Sequence, residues 1–134
     1  MKTRMVILFL IGTVSLNAFG NGLKILELCM NITHSGEVEG CFIELSQSMK
    51  IKYTNEFDLY LKSINTQEER PYNKKELTTL SESAKKNWDD YIENECQVES
   101  SGYEKGNHGY VLAYNICLIK HYDARIKYYK ENRF

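Results

Sequence analysis

Proline is nearly absent from this sequence: in 134 residues Pro71 is the only one. Nothing else can break a helix by the ring clash and missing N–H that proline imposes. Glycine is sparse too, and three of the eight glycines crowd into the short segment Glu99 to Gly109. Strand-like alternation of apolar and polar residues occurs nowhere, which excludes a sheet and predicts an all-α fold. No apolar run is long enough to cross a bilayer; Met5 to Val14 comes nearest, at about half of the ~20 residues needed. The three histidines, His34, His108 and His121, are far apart and form no H-x-x-x-H or H-E-x-x-H pair. No G-x-S-x-G, phosphate loop or dinucleotide fingerprint occurs. The expectation is a protein that is not an enzyme, with no cofactor, no resident metal and no membrane anchor.

What is present begins with a leader. Lys2 and Arg4 precede the apolar stretch, Ser15 and Asn17 follow it, and Ala18-Phe19-Gly20 supplies a small-x-small cleavage site. Residues 1–20 are therefore expected to be a signal peptide and residues 21–134 a single exported domain, periplasmic or secreted. Cys29 is not a lipidation site, because Leu26-Glu27-Leu28 precedes it and the apolar run has ended well upstream. Without Lys2 and Arg4 the mature chain has 15 basic against 18 acidic residues, a charge of about −3. Phosphate binding wants a basic face, so nucleic acid is not the expected partner.

All four cysteines lie beyond the leader, and in an exported chain an even number implies disulfides. Three pairings are possible. Spacing favours the local ones, Cys29–Cys41 and Cys96–Cys117, which close loops of 12 and 21 residues. A zinc site would want paired C-x₂₋₄-C knuckles, which are missing.

Three helices are expected. The first opens near Thr33 to Ser35 and runs to about Asn65, with Val38, Cys41, Phe42, Leu45, Met49, Tyr53, Phe57, Tyr60, Leu61 and Ile64 on one stripe. Residues 21–32 before it read as a short lead-in, with Leu23, Ile25, Leu26 and Leu28 making apolar contacts. Asn31-Ile32-Thr33 is a glycosylation sequon, meaningful only in a eukaryotic secretory pathway. Asn73 and Glu76 resemble the capping box of the second helix, which carries Leu77, Leu80, Ala84, Trp88, Tyr91, Ile92 and Cys96 inward. Asp89, Asp90 and Glu93 then fall on its outer face, as solvated charges rather than a glycosidase pair. The third helix spans roughly Tyr110 to Glu131, with Val111, Tyr114, Cys117, Leu118, Tyr122, Arg125, Ile126 and Tyr129 inward. A cysteine late in one helix and another early in the next suits a stapled antiparallel pair.

The second helix carries Trp88, Tyr91, Glu95 and Cys96 in the spacing Trp-x-x-(Tyr/Phe)-Arg-Asp-x-Glu-Cys, with Glu93 standing in for the acid. The third carries Cys117, Leu118 and Arg125 in the spacing Cys-Leu-x-x-(Leu/Met)-Thr-x-x-Arg-x-x-x-Leu. Upstream, Cys29, Cys41, Lys52-Tyr53 and Asn55 fall in corresponding places. On these residues the chain, from Cys29 to about Tyr129, resembles the lysozyme inhibitor LprI-like family of exported bacterial proteins. It departs from the pattern at Ile92, where the arginine would stand, and at His121, Tyr122 and Tyr129. The resemblance implies an all-helical exported protein, and for the name-giving member, inhibition of lysozyme.

The functional expectation follows from both lines. The protein binds another protein, a lysozyme or other peptidoglycan-cleaving enzyme, through the loop after the second helix. Ser101, Tyr103, Glu104 and His108 are the candidate contacts; the disulfides and Trp88, Tyr91, Glu95, Leu118 and Arg125 are structural. The alternative is a non-inhibitory envelope or immunity module with another partner.

Overall fold

The computed structural model describes residues 20–67 and 73–134, with side chains from Lys24 onward. The expected leader lies outside the described residues but for Gly20, as does Pro71. Helices are α1 (Gly20–Met30), α2 (Ser35–Thr66), α3 (Lys74–Ser100) and α4 (His108–Glu131), and there is no strand among the described residues. The three long helices start and stop close to where apolar periodicity places them. The fourth is a correction: the lead-in is itself helical. Gly20, Asn21 and Gly22 disguise its start, since these residues disfavour helix. Tertiary contacts hold it instead, with Leu26 and Cys29 buried and Cys29 bonded to Cys41. Leu28, expected to make apolar contacts, is exposed.

Pairings along the helices set their directions. Glu39 meets His108, Ser46 meets Asn115, and Tyr53 stacks near Tyr122 and Tyr129, so α2 and α4 run parallel. Tyr53 also meets Asp89 while Asn65 meets Lys74, so α3 returns antiparallel to α2. Cys96–Cys117 then staples antiparallel α3 and α4. Both disulfides take the local pairing, and no cysteine is free. Two disulfides fit an oxidising extracellular environment. Among the described residues no helix is long and apolar enough to cross a membrane.

Local chemistry fixes the ends. Asn73 Oδ1 accepts from the backbone N–H of Lys75 and Glu76, at 3.0 and 3.4 Å, satisfying donors that the first turn of α3 leaves open. Asn107 caps α4 likewise, accepting from Tyr110 N–H at 2.9 Å.

The core is unusually rich in tyrosine. Tyr53 is 1% exposed, and its ring lies 5.3 Å from Trp88, 5.3 Å from Tyr122 and 5.9 Å from Tyr129. Its hydroxyl donates to Asp89 Oδ1 at 2.7 Å, and Lys85 Nζ sits 4.7 Å above its ring while pairing with Asp89 Oδ2 at 2.7 Å. Asp89 is therefore not the solvated outer-face charge that periodicity suggests.

The inner face of α3 is the step-of-four row Leu77, Ser81, Lys85, Asp89 with Trp88, Ile92, Cys96 and Ser100. Leu80, at 60% exposed, Ala84 and Tyr91, at 50%, lie beside that row rather than in it. Ile92, at 2%, holds alone the inward place that periodicity assigns to Tyr91 as well. On α4, Asn115 and Ile119 are buried although no apolar pattern marks the first and the expected inner side omits the second. Asn115 Oδ1 accepts from Ser46 Oγ at 2.6 Å, and its Nδ2 donates to the Val111 carbonyl at 2.8 Å.

Buried phenols resist ionisation, which gives the stability a definite pH dependence. Burial, with Asp89 and Glu93 nearby, pushes Tyr122 up to about 12. Burial followed by the bond to Asp89 raises Tyr53, and burial followed by Glu93 raises Tyr114. Between the ordinary tyrosine value of ~10 and these higher folded values, the native chain keeps protons that the unfolded chain releases. Stability from these groups is thus complete below pH ~10 and falls as pH rises through the folded values. Absorbance at 295 nm during an alkaline titration should show Tyr53, Tyr114 and Tyr122 ionising only together with loss of helicity. A single smooth titration of all ten tyrosines in the folded state would contradict this packing.

Candidate functional site: a loop pinned at both ends

Residues 101–107 link α3 to α4 as a run of tight turns. Backbone N–H groups of Ser101, Tyr103 and Asn107 donate to the carbonyls of Val98, Ser100 and Glu104, each at 3.1 Å. Gly106 has φ +87, a left-handed conformation that suits a residue without Cβ. At the α3 end, Ser100 is fully buried beside the Cys96–Cys117 staple, and its Oγ donates to the Cys96 carbonyl at 2.7 Å. At the α4 end, His108 Nδ1 and Glu39 Oε2 of α2 lie 2.7 Å apart. Sequence reasoning finds His108 but misses Glu39, because the two are 69 residues apart and only the parallel α2–α4 pairing joins them.

Tyr103 rests on the start of α4. A Cβ built on Gly109 would lie 2.4 Å from Tyr103 Cδ1, so the ring approaches the backbone as only glycine permits. Tyr103 is still 54% exposed. A tyrosine seated on one face and open on the other suits recognition, since it brings contact area with little side-chain freedom left to lose. Gly109→Ala should push this ring aside while costing less than ~1 kcal/mol of stability, because Tyr103 can swing into solvent. Loss of cross-relaxation between the Tyr103 ring and residue 109 in the variant would register it; an unmoved ring would contradict the contact.

The four candidate contacts are brought onto one loop, with different freedoms. Tyr103 and Glu104 project from it, Ser101 Oγ is occupied by the Val98 carbonyl at 2.7 Å, and His108 is held by Glu39. The structural candidates Trp88, Tyr91, Glu95, Leu118 and Arg125 lie on α3 and α4. Trp88 packs on Tyr53, Leu118 is buried and Glu95 is half-buried. His121 lies edge-on between Trp88, at 6.1 Å, and Tyr91, at 6.0 Å. The residues that depart from the family pattern therefore share a role: Ile92, Tyr122 and Tyr129 fill the core where the pattern has an arginine, a threonine and a leucine, and His121 packs at its edge.

Sγ of Cys96 and Cys117 and a nitrogen of His121 come within 4.8 Å of one another, close enough for a metal, but the two sulfurs are bonded to each other rather than present as thiolates. Asp89 is engaged by Tyr53 and Lys85. A scan against protein-family models finds no match to this chain, and searches of curated proteins and of solved structures find none either.

Proposed function

We propose that this is an exported, LprI-like binding protein that blocks a peptidoglycan-cleaving glycosidase, with the 101–108 loop as its working part. The observation that carries the reading is the loop's construction. It is pinned by the disulfide on one side and by His108–Glu39 on the other, with Tyr103 seated and half open. A loop ordered before binding keeps its conformational entropy cost out of the association. The motif resemblance supplies the target class, and the net negative mature charge favours encounter with a cationic enzyme.

The test is a lytic assay on suspended peptidoglycan. Equimolar oxidised protein should suppress hydrolysis by c-type lysozyme or by at least one bacterial lytic glycosidase. The Tyr103→Ala/Glu104→Ala double variant should lose at least tenfold in potency, about 1.4 kcal/mol of binding. Undiminished hydrolysis across the panel would sink the inhibitor reading. A specific non-lytic partner recovered from envelope extract through the same loop would then favour the non-inhibitory envelope or immunity module.

A further inference from the structure

Arg125 is a half-buried cation without a counter-ion among the described residues. Its guanidinium carbon lies 4.4 Å from the ring centre of Tyr128, 5.0 Å from Tyr129 and 5.4 Å from Trp88. Nε is fully buried and makes no hydrogen bond, and no carboxylate among the described residues pairs with the group. Aromatic faces attract a guanidinium but offer its N–H groups no acceptor oxygen. Leaving a buried donor unsatisfied is costly, and a fork of parallel N–H groups matches the paired oxygens of a carboxylate or a phosphate.

The same side chain lines a cavity of about 200 Å³ between α2, α3 and α4. Tyr60, Leu80, Ser81, Tyr128 and Tyr129 make up most of the remaining wall, which is flat aromatic surface with a few hydroxyls. A dry cavity of ~150 Å³ accommodates benzene, so this one has room for an aromatic or short aliphatic body with a carboxylate attached. Among the described residues the wall adds no second cation, which suits a monoanion. The charge of Arg125 is felt at Tyr60, where it opposes the upward pull of burial on that phenol.

We propose that this cavity is a binding site for a small organic acid, with the carboxylate on Arg125 and an apolar body against Tyr60, Tyr128 and Leu80. It is separate from the loop, because His108 opens α4 whereas Arg125 lies several turns further along, near the far end of that helix.

Phenylacetate is the probe, with phenylacetamide as its uncharged counterpart, titrated into the oxidised full chain and followed by two-dimensional NMR. Phenylacetate should bind saturably and shift the Arg125 Nε–H and the signals of Tyr128 and Leu80. Phenylacetamide and the Arg125→Met variant should each show at least tenfold weaker binding. Ala84→Phe, which fills the cavity from an exposed position and leaves Arg125 in place, should abolish binding without lowering the melting temperature. No saturable shift with phenylacetate, equal binding of the amide, or undiminished binding by Ala84→Phe would each overturn the assignment.

Discussion

Tyr53→Ala should destabilise the fold by about 3–5 kcal/mol, the largest single-residue effect expected in this molecule. The ring is almost wholly buried where α2, α3 and α4 meet, and it touches aromatic side chains from both other helices. Removing it opens a cavity that stiff neighbours such as Trp88 and Tyr122 cannot refill, and it leaves Lys85 and Asp89 without the group that draws them inward. Against a total of roughly 5–15 kcal/mol for a domain, a loss of this size leaves little margin. Tyr53→Phe separates the two contributions. It keeps the packing and removes only the bond to Asp89, which is partly solvated and keeps Lys85 as partner, so about 1 kcal/mol is expected. Urea unfolding of the three proteins measures this directly. Equal losses in the Ala and Phe variants would place the energy in the hydrogen bond and contradict the packing account.

The second large effect is expected from the staple. Opening Cys96–Cys117 releases a 21-residue loop in the unfolded chain, worth about 3 kcal/mol in the chain-entropy model. Because both cysteines are buried, Cys96→Ala/Cys117→Ala also removes packed sulfur and should cost at least as much. Its functional consequence should exceed its effect on the helices. Ser100 packs at the staple and the loop departs from it, so the variant should keep its helical circular dichroism at low temperature while losing the ordered Tyr103–Gly109 contact. Cys29→Ala/Cys41→Ala opens the shorter of the two loops, which is worth slightly less, and should free α1 while leaving the α3–α4 loop as it is. An ordered loop in the 96/117 variant would mean that the turns and the His108–Glu39 contact suffice without the covalent bond.

How legible the fold is in the sequence depends on which residues carry the pattern. The stripe on α2 is easy, because its inward positions, from Phe42 to Ile64, are nearly all large and apolar. Along α3 the inner row includes Ser81, whose hydroxyl donates to the Leu77 carbonyl, and Lys85 and Asp89, which meet the ring and hydroxyl of Tyr53 from α2. A search for apolar periodicity rejects such residues and shifts the face sideways onto Leu80, Ala84 and Tyr91. The same blindness hides Asn115, whose inward place depends on Ser46. α1 escapes for a different reason: its glycines argue against a helix, and what holds it is a buried leucine and a disulfide to α2. At the site, glycines and a nearby cysteine mark the loop, but Glu39 and the seat of Tyr103 on Gly109 exist only in three dimensions.

The oxidised framework underlies the ordered loop, the proposed export and the proposed inhibition alike, so the most direct measurement is a disulfide map of the natively purified protein by proteolysis and mass spectrometry. Two linked peptide pairs are expected, Cys29 with Cys41 and Cys96 with Cys117, and no alkylatable thiol before reduction. A crossed pairing, or free thiols at Cys96 and Cys117, would contradict that framework.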